Sequence, residues 1–314
     1  MRKVIGVRGV AVALALVALG LSGATTGAAA PTGHQGYRDY NVPGAQMTKL
    51  IGINDHGVLF GKFWDASWDQ HFFVTAGSDV STFDVPGGYA PGPLFANAIN
   101  DAGAVVGSYY DGNGVLHGFL RSPNGHFTYL NDPNAGTVPN EYQGTTPWAI
   151  NDTGEVVGQY VDAAGNAYGF VYKGGTYTTI DVRGSTDVSV NGVNNFGILV
   201  GGYGDSSGVY HSFIDIYGYI IVFDAPGSGD VAGAGTSAMD ISQDGAILDV
   251  ATTSSGTSLG WLGNSLTWTP VKDPSADYGP YNGTSPTGIA EDGSAIVGEY
   301  YDSLGNMHSF ILVR

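Results

Sequence analysis

Cysteine is absent from all 314 residues, so the chain has neither a disulfide nor a cysteine that could carry a lipid at a processing site. Basic residues are nearly as scarce, with 11 Lys and Arg against 28 Asp and Glu and a net charge of −17. That balance repels polyanions, which makes nucleic acid and anionic membrane poor partners. No segment is continuously apolar for 18 residues, so a membrane-spanning helix is not expected. Lys and Glu, strong helix formers, are few. What the chain has instead is 51 glycines and 12% Phe, Trp and Tyr, a composition of tight turns and aromatic strands. This much aromatic content also argues against disorder.

At the N-terminus, Arg2, Lys3 and Arg8 precede an apolar run from Val10 to Leu21, followed by the small residues Gly27-Ala28-Ala29-Ala30. The pattern is that of a secretory signal peptide over residues 1–30, with cleavage expected next to Ala29 or Ala30 and a secreted, extracellular destination. Loss of that segment takes three basic residues and no acidic one, leaving eight against 28 and a net charge of about −20. Residues 31–314 then form one domain, long enough to bury a core without covalent staples.

A box of the form apolar, Asn, Asp or Asn, any residue, Gly recurs along this domain. It reads Ile53-Asn54-Asp55-His56-Gly57, Ile99-Asn100-Asp101-Ala102-Gly103, Ile150-Asn151-Asp152-Thr153-Gly154 and Val193-Asn194-Asn195-Phe196-Gly197. Degenerate copies follow at Ile241-Ser242-Gln243-Asp244-Gly245 and Ile289-Ala290-Glu291-Asp292-Gly293, with spacings of 46, 51, 43, 48 and 48 residues. The third unit divides most clearly into strands, at 146–151, 155–161, 167–172 and 176–182, separated by Gly-bearing turns. Six four-stranded units of this length predict an all-β, six-bladed β-propeller, with blades near 48–86, 95–133, 146–183, 188–226, 237–274 and 285–314.

Each fourth strand ends in a second box, as in Phe83-Asp84-Val85-Pro86 and Phe223-Asp224-Ala225-Pro226. The sixth unit stops at Arg314 before reaching one, while a spare copy, Tyr40-Asn41-Val42-Pro43, precedes the first unit. Residues 36–43 are therefore expected to serve as the outer strand of the last blade and close the ring, removing two exposed sheet edges.

The third strands carry His71-Phe72-Phe73, His117-Gly118-Phe119, His211-Ser212-Phe213 and His308-Ser309-Phe310, with Tyr168-Gly169-Phe170 and Leu259-Gly260-Trp261 as variants. Together with the Asn-Asp-x-Gly boxes, this resembles the bacterial extracellular proteins of the His-Ala-Phe (HAF) repeat family over essentially the whole mature chain. The middle residue here is Gly, Ser or Phe rather than Ala. The resemblance implies a secreted repeat protein and brings no catalytic residues with it.

The four histidines repeat around a ring and cannot converge on one metal, so a structural hydrogen-bonding role is expected, as for Asn54, Asn100, Asn151 and Asn194. Asp65, Asp111, Asp162, Asp205 and Asp302 open equivalent hairpins, where Asp accepts backbone N–H groups; one such hairpin supplies too few oxygens for Ca²⁺. Gly204-Asp205-Ser206-Ser207-Gly208 matches a serine-nucleophile elbow, and residues 233–238 imitate a dinucleotide loop, but neither leads into a helix. No metal site and no cofactor are expected.

Long connections at 87–95, 134–146, 227–237 and 275–286 emerge on the same face as the Asp hairpins. Tyr89, Phe95, Tyr142, Trp148, Tyr278 and Tyr281, with Trp64 and Trp68 from the first hairpin, are candidate binding residues there. Exposed aromatics flanked by acids and amides suit neutral sugar rings. The expected function is a monomeric binding or interaction module for a neutral polysaccharide or a protein. The alternative is an extracellular polysaccharide lyase or glycosidase acting from the central funnel, which would need two carboxylates roughly 5–10 Å apart.

Overall fold

In a computed structural model, residues 3–5, 36–88, 94–139, 143–264 and 266–314 are described. Nearly all of the expected signal segment, and candidates Tyr89 and Tyr142, lie outside them. The described chain is all-β. None of its helices is long and apolar enough to cross a membrane, because it forms none.

The strands pair as successive antiparallel meanders. The first comprises Met47–Ile53, Leu59–Trp64, Gln70–Ala76 and Asp79–Phe83. The second comprises Leu94–Ile99, Val105–Tyr110, Leu116–Arg121 and Phe127–Leu130. Strands at Gly144–Ile150, Val156–Val161, Ala167–Lys173 and Thr176–Ile180 make the third, within two residues of the sequence expectation at each boundary. The fourth runs from Asp187–Val193 through Leu199–Gly204 and Tyr210–Ile216 to Tyr219–Phe223, the fifth from Gly235–Ile241 through Ile247–Thr252 and Ser258–Gly263 to Trp268–Val271. The last has three strands of its own, Thr284–Ile289, Ala295–Tyr301 and Met307–Val313. Its fourth is Gly36–Asp39, which pairs antiparallel with the end of the chain from Gly36 opposite Val313 to Asp39 opposite Phe310. Outside this pattern, Lys3–Ile5 lies parallel to Tyr219–Ile221 on the outer edge of the fourth meander.

One packing unit recurs inside the meanders. The Phe of the third-strand triplet, at Phe73, Phe119, Phe170, Phe213 and Phe310, is fully buried. In each case it faces a glycine of the second strand, at Gly61, Gly107, Gly158, Gly201 and Gly298. A Cβ on any of these glycines would come within about 3.0 Å of the ring. The fifth meander substitutes Asp249 opposite Trp261, and buries the carboxylate with a 2.6 Å hydrogen bond from Ser212 Oγ. Outside the first meander, which has Phe72 there, the residue before the triplet's aromatic is small for a similar reason: a Cβ at Gly118, Gly169 or Gly260 would lie 2.7 Å from a side chain of the next meander's first strand.

The box turns hold neighbouring meanders together. Asn54 Oδ1 accepts from His56 N and Val58 N within its own turn, while Nδ2 donates to Asn100 O at 3.1 Å in the next. Asn100, Asn151 and Asn194 repeat the bridge to Asn151 O, Asn194 O and Ser242 O. A second series runs beside it. Asp55 N donates to Asp101 Oδ1, Asp101 N to Asp152 Oδ1, Asp152 N to Asn195 Oδ1 and Asn195 N to Gln243 Oε1. Gln243 N then donates to Glu291 O, and Asp292 N donates to Asp55 Oδ1 at 2.9 Å, joining the last box to the first. At the same seam Leu50 N donates to Ser309 Oγ and Thr287 Oγ1 to Leu50 O.

Removal of residues 36–43 should therefore strip the last meander of its outer strand and take the buried Val42 out of the core. A chain starting at Gly44 is expected to melt at least about 10 °C lower by circular dichroism, since each kcal/mol lost is worth a few degrees in a domain of this size. An unchanged melting curve would remove the N-terminal strand from the account of stability.

Candidate functional site

The pairing puts two kinds of chemistry at the two ends of the first strands. Met47 lies opposite Trp64 and Trp64 opposite Gln70, so the start of a first strand shares its end of the sheet with the Asp hairpin. The box turns occupy the other end.

Between the two ends, each first strand is interrupted by a bulge. The register against the second strand skips one residue in every meander: Ile51, Asn97, Trp148, Asn191, Met239 and Thr287 in turn. A bulge re-aims the side chain of its extra residue. All six line the same cavity of about 750 Å³ at the hairpin end, and all six also line a far smaller space of about 40 Å³ on the box side. The bulged residues thus form the constriction between a funnel and a narrow channel. The residue after each bulge is small wherever another strand crosses closely; a Cβ on Gly192 would meet Asp240 at 2.7 Å and one on Gly288 would meet Ile51 O at 2.8 Å.

Above the constriction the funnel wall is mixed. Trp148 and Phe95 supply aromatic surface, and Ser189, Ser237 and Gln159 supply hydroxyl and amide groups. Several of these also fix the wall. Asn97 Nδ2 donates to Pro147 O, Asn191 Nδ2 to Ala238 O at 2.9 Å, and Gln159 Nε2 to Val188 O at 3.1 Å. Lys49 and Lys62 face each other across the first two strands of the first meander. Lys49 Nζ pairs with Glu299 at 2.8 Å. Lys62 Nζ contacts Gln70 Oε1 at 3.2 Å and lies 5.0 Å from the Trp64 ring and 5.7 Å from that of Phe95.

The narrow side is acidic. Asp240, in the place held elsewhere by Gly or Ala, accepts from Ile289 N and Ile241 N. Desolvation nonetheless raises it to about 7. Glu291 is raised to about 8 by burial first and then by Asp240, Asp152, Asp55 and Asp101. Burial, with the charges of Asp101, Asp292 and Asp152, also lifts Asp55.

Of the aromatics chosen from sequence that are among the described residues, Trp148 and Phe95 line the funnel. Trp64 is one contact removed, beneath Lys62. Tyr278 packs its loop down, its hydroxyl 2.6 Å from Thr284 Oγ1 and its ring 4.2 Å from Lys272 Nζ. Trp68 and Tyr281 stand out in solvent, 61% and 82% exposed, and both have positive φ. Trp68, at φ 66°, fills the hairpin position that Gly114, Gly165, Gly208 and Gly305 hold elsewhere. Among the described residues, the bulges rather than the long loops bring residues together in the funnel. The variable residue two places before each box apolar was the available signal, since the positions around it repeat while it does not.

The repeated histidines sit within their meanders. His71, His117 and His211 place Nδ1 2.9 Å from Asp84, Asn131 and Asp224, on the box after the fourth strand. Their Nε2 atoms face the hairpin carboxylates Asp65, Asp111 and Asp205 at 3.5–3.7 Å, and His308 Nε2 lies 3.0 Å from Asp302. The hairpin aspartates each accept two backbone N–H groups, as at Asp302 from Leu304 N and Asn306 N. Among the described residues no group of His, Asp and Glu is arranged to hold a metal ion.

Protonation of Glu291 gives a testable sign. Below about pH 4 both folded and unfolded chains hold its proton; between about 4 and 8 only the folded chain does, so stability falls as pH rises through that window. Glu291→Gln is expected to flatten the decline in melting temperature between pH 5 and pH 8, leaving pH 4 nearly unchanged. A variant whose melting temperatures track those of the parent would show that the carboxyl titrates normally.

No protein-family model and no curated protein sequence matches the chain. Several solved structures match in fold. AofleA from Arthrobotrys oligospora is 12% identical, with a TM-score of 0.52 over 88% of this chain and 86% of that one. A lectin mutant from Aleuria aurantia, in complex with Fucα1-6GlcNAc, is 13% identical, with a TM-score of 0.50 over 84% and 91%. A presumed gluconolactonase is 12% identical, with a TM-score of 0.52 over 90% and 93%. At these identities the likeness is one of fold, and it spans most of both chains in every case.

Proposed function

We propose that the mature chain is a secreted, six-bladed β-propeller of the HAF-repeat kind, closed by residues 36–43, and that it binds a saccharide in its funnel without turning it over. The observation that carries this reading is the cavity of about 750 Å³ framed by six bulged residues of different chemistry. Its volume falls within the range of small-ligand sites, and its wall joins aromatic faces for stacking on sugar rings to amides and hydroxyls for their hydroxyl groups. The fold shared with a lectin that holds a fucosylated disaccharide is consistent with it. Secretion rests on the N-terminal sequence pattern.

One observation favours an enzyme: two carboxyls, Asp240 and Glu291, are raised toward neutrality, as acid–base catalysts are. They lie, however, on the narrow side of the constriction, where about 40 Å³ accommodates a water or two and no sugar ring. The size of that space weighs against hydrolysis or elimination on a polysaccharide and in favour of binding alone.

The test is a glycan screen of mature protein from Ala30 to Arg314, following retention and reducing-end release together. Retention without release is expected. Trp148→Ala should weaken retention by at least about tenfold with little change in melting temperature, as loss of an aromatic stacking platform costs on the order of 1–3 kcal/mol. Trp68→Gly should leave retention intact and raise the melting temperature by a few degrees, because it relieves a left-handed Trp. Reducing-end release by the parent, or retention indifferent to Trp148, would overturn this reading.

A further inference from the structure

Every meander ends on an outer strand, and an outer strand turns a row of backbone N–H and C=O groups away from its own sheet. In all but the fourth meander the side chains blunt that edge. Opposite the residue that follows the triplet aromatic stand Ser81, Thr128, Thr178, Thr269 and Arg38. Opposite the aromatic itself stand Thr82, Tyr129, Thr179, Pro270 and Asp39. Charged, polar and proline residues discourage a further strand from adding. The fourth meander has Ile221 and Val222 in these two places, within the run Tyr219-Ile220-Ile221-Val222-Phe223. A β-branched, uncharged run of this kind accepts one.

The structure seats a strand there. Lys3–Ile5 lies parallel to this edge, with Lys3 opposite Tyr219, Val4 opposite Ile220 and Ile5 opposite Ile221. The turn that leads into the edge puts Tyr217 at φ 52°, where the first and third meanders have Gly77 and Gly174. Tyr217 is 72% exposed, so little packing offsets its left-handed conformation. A cavity of about 710 Å³ opens at the same end of the strand, with Tyr217, Tyr219, Leu199 and Thr178 on its wall. It offers room to a side chain of an added strand.

We propose that the outer edge of the fourth meander is a docking site for an extended protein segment, basic at its start and β-branched after it, which adds as a parallel strand to Tyr219–Phe223. The leader displays the chemistry that fits, since Arg2 and Lys3 precede Val4 and Ile5. The chain it leaves behind, with eight Lys and Arg against 28 Asp and Glu, attracts basic segments. In the precursor the leader occupies the edge, and its cleavage opens the edge to a partner. Main-chain hydrogen bonds then supply affinity, and the register of side chains supplies specificity. The site shares no described residue with the funnel wall and rests on the reading above only for loss of the leader.

The probe is a synthetic peptide of residues 2–8, labelled at its C-terminus and titrated into the mature protein by fluorescence anisotropy at physiological salt. Saturable binding is expected, at least about tenfold tighter than that of a scrambled peptide of the same composition. Val222→Pro copies Pro270 of the fifth meander, where the inner ladder does without an N–H, and so removes an outward donor alone. It should weaken binding at least about tenfold and shift the melting temperature by no more than a few degrees. The full chain, its edge already occupied, should bind the peptide at least about tenfold more weakly than the mature protein. Val4→Asp with Ile5→Asp in that full chain should restore binding, a result that does not depend on the cleaved form. Equal binding of the scrambled peptide would reduce the effect to charge attraction and overturn the site. Binding that survives Val222→Pro, or silence of both the mature protein and the doubly substituted full chain, would also overturn it. Retention of a saccharide in the funnel would stand in each of these cases.

Discussion

The structure depends on one repeated hydrogen bond, from the backbone N–H of each box turn to the side chain of the box that follows. Four such bonds run from Asp55 to Gln243, a backbone–backbone bond to Glu291 O continues them, and Asp292 N returns to Asp55. Their geometry fixes how closely one meander can follow another. That spacing in turn requires small residues where strands cross, at Gly118, Gly169, Gly192 and Gly288, where a Cβ would come within 2.8 Å of a neighbour. It also requires the first strands to absorb one extra residue apiece as they converge. The bulges that result are the means by which a structural repeat acquires a variable lining.

The degenerate copies show where that constraint has been relaxed. In the fifth unit Ser242 replaces the box Asn, Asp240 replaces the small residue after the bulge and Asp249 replaces the glycine under the aromatic ring. Local or adjacent bonds reach all three polar groups: Ser242 Oγ accepts from Ala246 N, Asp240 from two backbone amides and Asp249 Oδ2 from Ser212, with Asp249 Oδ1 left buried without a hydrogen bond. A buried polar group is tolerable on those terms, although the two carboxyls hold their protons to about pH 7 as a consequence. The narrow end of the channel thus gathers acids that tie turns together, while the open end gathers the aromatic, amide and hydroxyl groups of the funnel wall.

Much of the architecture was legible because it is local. The box turns, the Asp-x-x-Gly hairpins and the alternating strands depend on residues at most five apart, and a repeat shows each of them several times. The pairing of residues 36–39 with the last strand was legible for a different reason: a missing box at one end and a spare one at the other. The candidate site was legible at Trp148 and Phe95. Trp68, Tyr278 and Tyr281 were conspicuous as aromatics in loops, but aromaticity does not say whether a ring packs a loop down, as Tyr278 does, or stands in water, as Tyr281 does. Lys49 and Lys62 belong to different strands and look unremarkable one at a time.

The sequence by itself determined the all-β class, the number and length of the repeats, the turn chemistry and the strong negative charge, since each follows from residue type and short-range spacing. Tertiary structure alone decided which residues face the axis. A bulge shifts alternation by one residue without any residue type that demands it, so inward and outward positions cannot be counted along the strand. The six side chains of the constriction come from segments more than 40 residues apart. Their meeting exists only once the meanders have packed, whereas the facing of two lysines in an acidic chain needs only the first two strands of one meander to pair.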